Sequence, residues 1–225
     1  SGVDTAKRTD AGTTNMGLNA NQFANTNPNF ATVTFNVTDG WMRIDPINAV
    51  VTIVGNHATV DFDGESCTIT GYLATADPAN LYDVTTSFTF GGDNTATRTN
   101  AGTTNMGLAA SQFYNTNTNF GTVTFNVTDG YMTINQINAT VTITGHNNTV
   151  NYDRTEHAVS GYDVEITPSI YTVADYEFNG TAAAARTEVG TTNMGLAASQ
   201  FHNTNTNFGT VTFNGTDGYM TINQI

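Results

Sequence analysis

The amino-acid sequence predicts an all-β protein assembled from tandem repeats, and three observations carry that prediction. A segment of 37 residues starting at Ala11 returns from Ala101 and again from Val189, and the last two copies agree at 34 of those 37 positions. The spacings, 90 and 88 residues, define the repeat length. Apolar and polar residues alternate with period two in several stretches, the pattern of strands with one face on a core and one in water. The polar residues are mainly Thr, which favours strands, and Asn, which favours turns, and no long amphipathic helix pattern occurs.

Taken along one copy, the elements follow in order. The GTTNMGL stretch at 102–108 opens it. Ala109-Ala110-Ser111-Gln112-Phe113 is long enough for a single helical turn that drops Leu108 and Phe113 onto the core, and too short for an independent helix. The NTNTN run is a polar loop. Val123, Phe125 and Val127 then alternate with Thr and Asn, as Val33, Phe35 and Val37 do in the first copy, and a strand is expected at both places. Asp39-Gly40, Asp129-Gly130 and Asp217-Gly218 read as tight hairpin turns, so each repeat is expected to close on a hairpin with Trp41, Tyr131 or Tyr219 opening its last strand. These aromatics, with Phe120 and Phe208, are expected to pack in cores or between repeats. The front of the unit recurs less closely, Val51–Tyr72 matching Val141–Tyr162, with Val141 and Ile143 facing inward against Thr140, Thr142 and Thr144. Six or seven strands per unit suit an Ig-like β-sandwich. A β-grasp-like unit, with a sheet curled over a short helix, is the alternative.

The boundaries drawn from this pattern are 1–47 as the C-terminal half of a repeat, 48–137 as one complete β repeat and 138–225 as another. A phase beginning near Thr97 is the other option, but the chain stops at Gln224-Ile225, where the middle unit also ends at Gln136-Ile137. The junctions at Pro46–Ala49 and Gln136–Ala139 lack any Gly/Ser spacer, so a stiff, extended array is expected. Gly215 stands where the middle unit has Val127. If that position faces the core, the last unit loses about 1–3 kcal/mol.

Composition excludes several functions. The chain carries 19 acidic and 6 basic residues, a net charge of -13, which disfavours nucleic acid and anionic membrane surfaces. No run is apolar enough for membrane insertion. The single cysteine, Cys67, matches His157, so it forms no intrachain disulfide and reads as a half-buried small apolar residue. His57, His146, His157 and His202 drift between copies, and no HExxH, GxSxG, P-loop or dinucleotide fingerprint is present; catalysis is not expected. Asp61, Asp63 and Glu65 alternate in DFDGE and could offer hard oxygens to Ca²⁺, but the last unit has Asn151, Asp153 and Thr155 there. An acidic strand end and turn is the preferred reading, and no cofactor is expected. The best ligand-binding surface is the repeated NTNTNF loop: Asn115, Asn117, Asn119 and Tyr114, with Asn203, Asn205, Asn207 and His202 in the last unit. Amides beside a ring suit a sugar; they also suit an ordinary loop.

Thr59-Val60-Asp61-Phe62-Asp63-Gly64, Thr149-Val150-Asn151-Tyr152-Asp153, the Val141–Gly145 strand, the Ala101-Gly102-Thr103 start and the Asp129–Ile134 end together resemble the MBG/YDG-type repeats of large bacterial surface proteins. Arg154 departs from the motif's Gly, so that turn is expected to differ. The resemblance implies a secreted adhesin at the bacterial cell surface or anchored to the cell wall, without enzymatic activity or cofactor. Near-identical copies and short junctions favour a stalk that spaces a distal binding region, its partners being neighbouring repeats. The alternative is a repeated adhesive module gaining avidity toward host glycan or matrix protein.

Overall fold

The computed structural model describes residues 4–225. It is all-β. The N-terminal half-repeat contributes β1 (Gly12–Asn15) and β2 (Trp41–Ile44). The middle repeat contributes β3 (Ile47–Gly55), β4 (His57–Asp61), β5 (Cys67–Thr70), β6 (Tyr72–Asp77), β7 (Phe88–Phe90), β8 (Thr95–Arg98), β9 (Gly102–Asn105), β10 (Phe113–Asn115), β11 (Phe120–Thr128) and β12 (Tyr131–Asn135). The last repeat gives the same ten in the same order: β13 (Ile137–Gly145), β14 (Asn147–Asn151), β15 (His157–Ser160), β16 (Tyr162–Thr167), β17 (Tyr176–Phe178), β18 (Ala183–Arg186), β19 (Gly190–Asn193), β20 (Phe201–Asn203), β21 (Phe208–Thr216) and β22 (Tyr219–Asn223). Ten strands stand where six or seven were expected, because long extended stretches break at glycines into two paired segments.

Residue contacts group the described residues into two bodies that the chain visits alternately. One holds the residues up to Asn56 with Thr70–Asn94 and Met106–Gly130; the other holds His57–Ile69, Thr95–Asn105 and Tyr131–Ile225. In the first body β3 is central, with β11 parallel on one side and β6 antiparallel on the other; β7–β10 and β1–β2 are antiparallel pairs. Ala49, Val51 and Ile53 form the inward face of β3 and pack with Tyr82, Phe113 and Phe120. The second body repeats this plan around β13, with β21 parallel and β16 antiparallel, and β17 pairs with β20. It also holds two sheets, β4–β12–β9 and β14–β22–β19, whose central strands again have one parallel and one antiparallel neighbour, besides the pairs β5–β8 and β15–β18. Its core gathers Val141, Ile143, Tyr171, Phe201, Phe208, Met220 and Ile222. Each fully buried aliphatic side chain contributes about 1.5–3 kcal/mol. The expected inward set is met on β13, where Val141 and Ile143 are buried between exposed threonines. Leu108 and Phe113 are buried on either side of a 3-10 turn, Ala110–Gln112, as the sequence required.

Four expectations are corrected. The Asp-Gly pairs are not hairpins: β11 pairs with β3, and β12 with β4 and β9, so Asp129-Gly130 is a corner where the chain leaves one sheet for another. Gly130 is required by crowding, since a methyl there would strike Asn56 O and approach Met106 Sδ at 2.6 Å. Gly55 faces it across the same corner, and Gly145 faces Gly218 in the last repeat. The stretch containing Val33, Phe35 and Val37 forms no strand, although β11 and β21 carry the same pattern. And the turn at Arg154 does not differ: Arg154 adopts φ 72°, close to the 85° of Gly64, at a cost of about 1–2 kcal/mol for a residue with a Cβ. Trp41 and Tyr219 are exposed rather than packed in a core, while Phe120 and Phe208 are buried as expected. Val127 packs against the first body's core, and Gly215 leaves that contact unmade in the last repeat.

Candidate functional site

The NTNTNF loop is built by its own amides. Asn115 Oδ1 accepts from the Asn117 N–H at 3.1 Å, and Asn115 Nδ2 donates to Asn117 O at 3.0 Å. Asn117 Oδ1 in turn accepts from the Asn119 N–H at 3.0 Å. Alternate asparagines thus make successive side-chain turns, which is why this residue type recurs every second position. The same ladder runs through Asn203, Asn205 and Asn207, and through Asn25, Asn27 and Asn29. The remaining amide capacity also goes to the protein. Tyr82 Oη donates to Asn115 Oδ1 at 3.2 Å, and Tyr171 Oη to Asn203 Oδ1 at 3.0 Å. Asn117 Nδ2 donates to Ser87 Oγ, and Asn205 Nδ2 to Asp175 Oδ1.

Asn119 and Asn207 join successive sequence copies. Asn119 Oδ1 accepts from the Ala11 N–H at 2.6 Å, and its Nδ2 donates to Asp10. Asn207 Oδ1 accepts from the Ala101 N–H at 2.7 Å, and its Nδ2 donates to Asn100. The amides offered as ligand contacts are therefore engaged in shaping the loop and tying one copy to the next. Tyr114 is 57% exposed on β10 opposite Thr89; His202 is exposed on β20 opposite Glu177; the first copy has Ala24 there. A ring does follow the last asparagine in every copy, as Phe30, Phe120 and Phe208, but Phe120 and Phe208 are buried, so no exposed ring recurs beside the asparagines in all three copies.

The carboxylates of DFDGE are spread along a strand end and turn. Asp61 Oδ1 accepts from Asn135 Nδ2 at 3.1 Å, and Asp63 Oδ1 accepts from the Glu65 N–H at 2.9 Å, with Gly64 at positive φ. Among the described residues no three His, Cys, Asp or Glu side chains converge as a metal group would require. In the last repeat, the Thr155 hydroxyl and N–H, with His157, hold the Asp153 carboxyl down at about 2. His146 bonds Asp163 and Ser160 O, which raise its pKa in that order of effect, and Asn56 makes the bond to Thr70 O that matches the one to Ser160 O. Asn and His thus serve one structural bond, which explains how that position tolerates either residue. Burial pushes Tyr171 up to about 12, with Asp175 and Tyr176 adding to the shift.

Two structural devices were missed in the sequence. Arg98 lies under the GTTN strand: its guanidinium donates to Ala101 O, Thr103 O and Thr104 Oγ1. Gly102, at φ 125°, leaves the space that the guanidinium fills, and Arg8 with Gly12 and Arg186 with Gly190 repeat the arrangement. The signal was an Arg four residues ahead of each GTTN motif. The second device is the corner aspartate. Asp129 accepts from the Gly107 N–H at 3.0 Å and the Leu108 N–H at 2.8 Å, and Asp39 and Asp217 do the same in their copies. Half of the six basic residues thus serve the repeat's own framework. No family model, curated protein or solved structure matches the chain.

Proposed function

We propose that the chain is a non-enzymatic spacer segment of an extracellular bacterial surface protein, its repeats stacking to hold a binding region away from the cell. One observation carries the reading: the copies are joined without a linker. β2 ends at Ile44 and β3 begins at Ile47; β12 ends at Asn135 and β13 begins at Ile137. Asn119 and Asn207 add side-chain bonds across the copies, so residues that repeat most faithfully serve continuity. Within this reading each repeat is an Ig-like β-sandwich module, altered by two parallel pairings, β3 with β11 and β4 with β12. The experiment displays one to four repeats on a bacterial surface between an anchor and an epitope tag. Tag accessibility should rise with repeat number, while the same cells gain no adhesion to glycan or matrix-protein arrays. Adhesion that is lost on Tyr114→Ala with His202→Ala would instead establish the adhesive module.

A further inference from the structure

Segment 30–38 carries the alternation of β11 and β21 but forms no strand. In both complete repeats the matching segment pairs in parallel with the repeat's own opening strand, Phe125 beside Val51 and Phe213 beside Val141. Segment 30–38 has no such strand among the described residues. β2 shows the same deficit. β12 and β22 each lie between two strands, whereas β2 pairs with β1 alone. Side chains register the difference: Phe30 is 60% exposed where Phe120 is 5%, and Met42 is 42% exposed where Met132 is 2%.

Beside this open edge lies a cavity of about 290 Å³ whose walls include Ile44, Asp45, Ile47, Leu81 and Phe120. Its counterpart in the second body is filled. Phe62, directly after β4, donates its N–H to Asn135 O at 3.0 Å, and its ring meets Phe208 edge-on at 5.7 Å. Asn135 and Phe208 correspond to Asp45 and Phe120.

We propose that segment 30–38, the β2 edge and this cavity form one acceptor site for a strand arm of the β3–β4 type, contributed by a further repeat of the same kind. The arm's first strand pairs in parallel with 30–38, its second with β2, and the Phe that follows enters the cavity. This commits the occupant to a defined pattern: apolar residues at every second position, a Gly-Asn corner, then a short strand ending in Asp-Phe. The inference rests on strand pairing and stands whether or not the repeats act as spacers.

The test adds a synthetic peptide of residues 47–62 to the full chain. Trp41 is the only tryptophan and occupies the place of Tyr131, which stacks on His57 of β4 at 5.1 Å. Saturating peptide should move Trp41 emission to shorter wavelength and slow amide exchange at 32–38 and 41–44 at least ~10-fold, as expected for newly paired backbone. A Phe62→Ala peptide should bind on the order of tenfold or more weakly, having lost its buried ring. A fusion placing residues 47–94 ahead of Thr5 should give the same protection without relying on peptide solubility. The proposal is overturned if neither peptide nor fusion protects these amides, or if a scrambled peptide protects them equally. Slow exchange at 32–38 in the free chain that depends on protein concentration would overturn it too, by showing that a second copy covers the edge.

Discussion

Replacing Asp129 with Ala removes both acceptors that hold the start of the 3-10 turn to the corner. The bond from the half-buried Leu108 N–H, 2.8 Å and charge-assisted, is worth about 1.5 kcal/mol, and the exposed one from Gly107 about 0.5 kcal/mol. The expected loss is therefore about 2 kcal/mol, or ~30-fold faster exchange of the Leu108 amide, since 1.4 kcal/mol is a factor of ten. Asp129→Asn keeps one acceptor oxygen for Leu108 and should lose less than half as much. Asp217→Ala repeats the perturbation in the last copy, where the distances are 2.8 and 3.1 Å, and should match it. Amide exchange followed by mass spectrometry, with urea midpoints alongside, measures both. Leu108 exchange and midpoints unchanged in Asp129→Ala would refute the view that these carboxylates hold the corner.

Gly130→Ala drives a methyl into the backbone at Asn56 and should lower stability by about 3 kcal/mol or more, measured as a drop in urea midpoint; a neutral outcome would mean the corner relaxes freely. Arg98→Lys keeps the charge but cannot reach Ala101, Thr103 and Thr104 together, and a loss of about 1–2 kcal/mol is expected. Arg154→Gly relieves the left-handed backbone and, after the added freedom of the unfolded chain, should raise stability by about 0.5 kcal/mol; a lower midpoint counts against strain at that turn. Tyr171 is held neutral by burial up to about 12, so its contribution is complete below pH 10 and is lost as pH rises from 10 through 12; Tyr72, Tyr82 and Tyr176 shift the same way. Melting temperatures flat to pH 12 would contradict this. Asp153, depressed to about 2, has the opposite sign: its contribution is present above pH 4 and lost as pH falls toward 2.

The inward faces of β13 and β11 were legible because period-two alternation depends only on local sequence. So was the 3-10 turn, whose Gln112 side chain accepts from the Ala109 N–H. The Asp-Gly corners were misread because a hairpin and a corner use the same residues; what separates them is which strand lies alongside, and the partner of β11 is distant in sequence. Segment 30–38 failed for the same reason, since alternation supplies a face but not a neighbour. The asparagines drew attention as ligand contacts because spacing cannot tell an amide pointing outward from one closing its own turn.

Pairing β3 in parallel with β11, and β4 with β12, has a consequence under load. The chain enters a complete repeat at β3 and leaves it at β12, so tension along the polypeptide draws β3 lengthwise against β11 in one sheet and β12 lengthwise against β4 in another. Within each ladder the bonds then resist together in shear, instead of parting one at a time as a hairpin unzips. A chain that must withstand flow or tugging gains from that geometry without any additional cross-link.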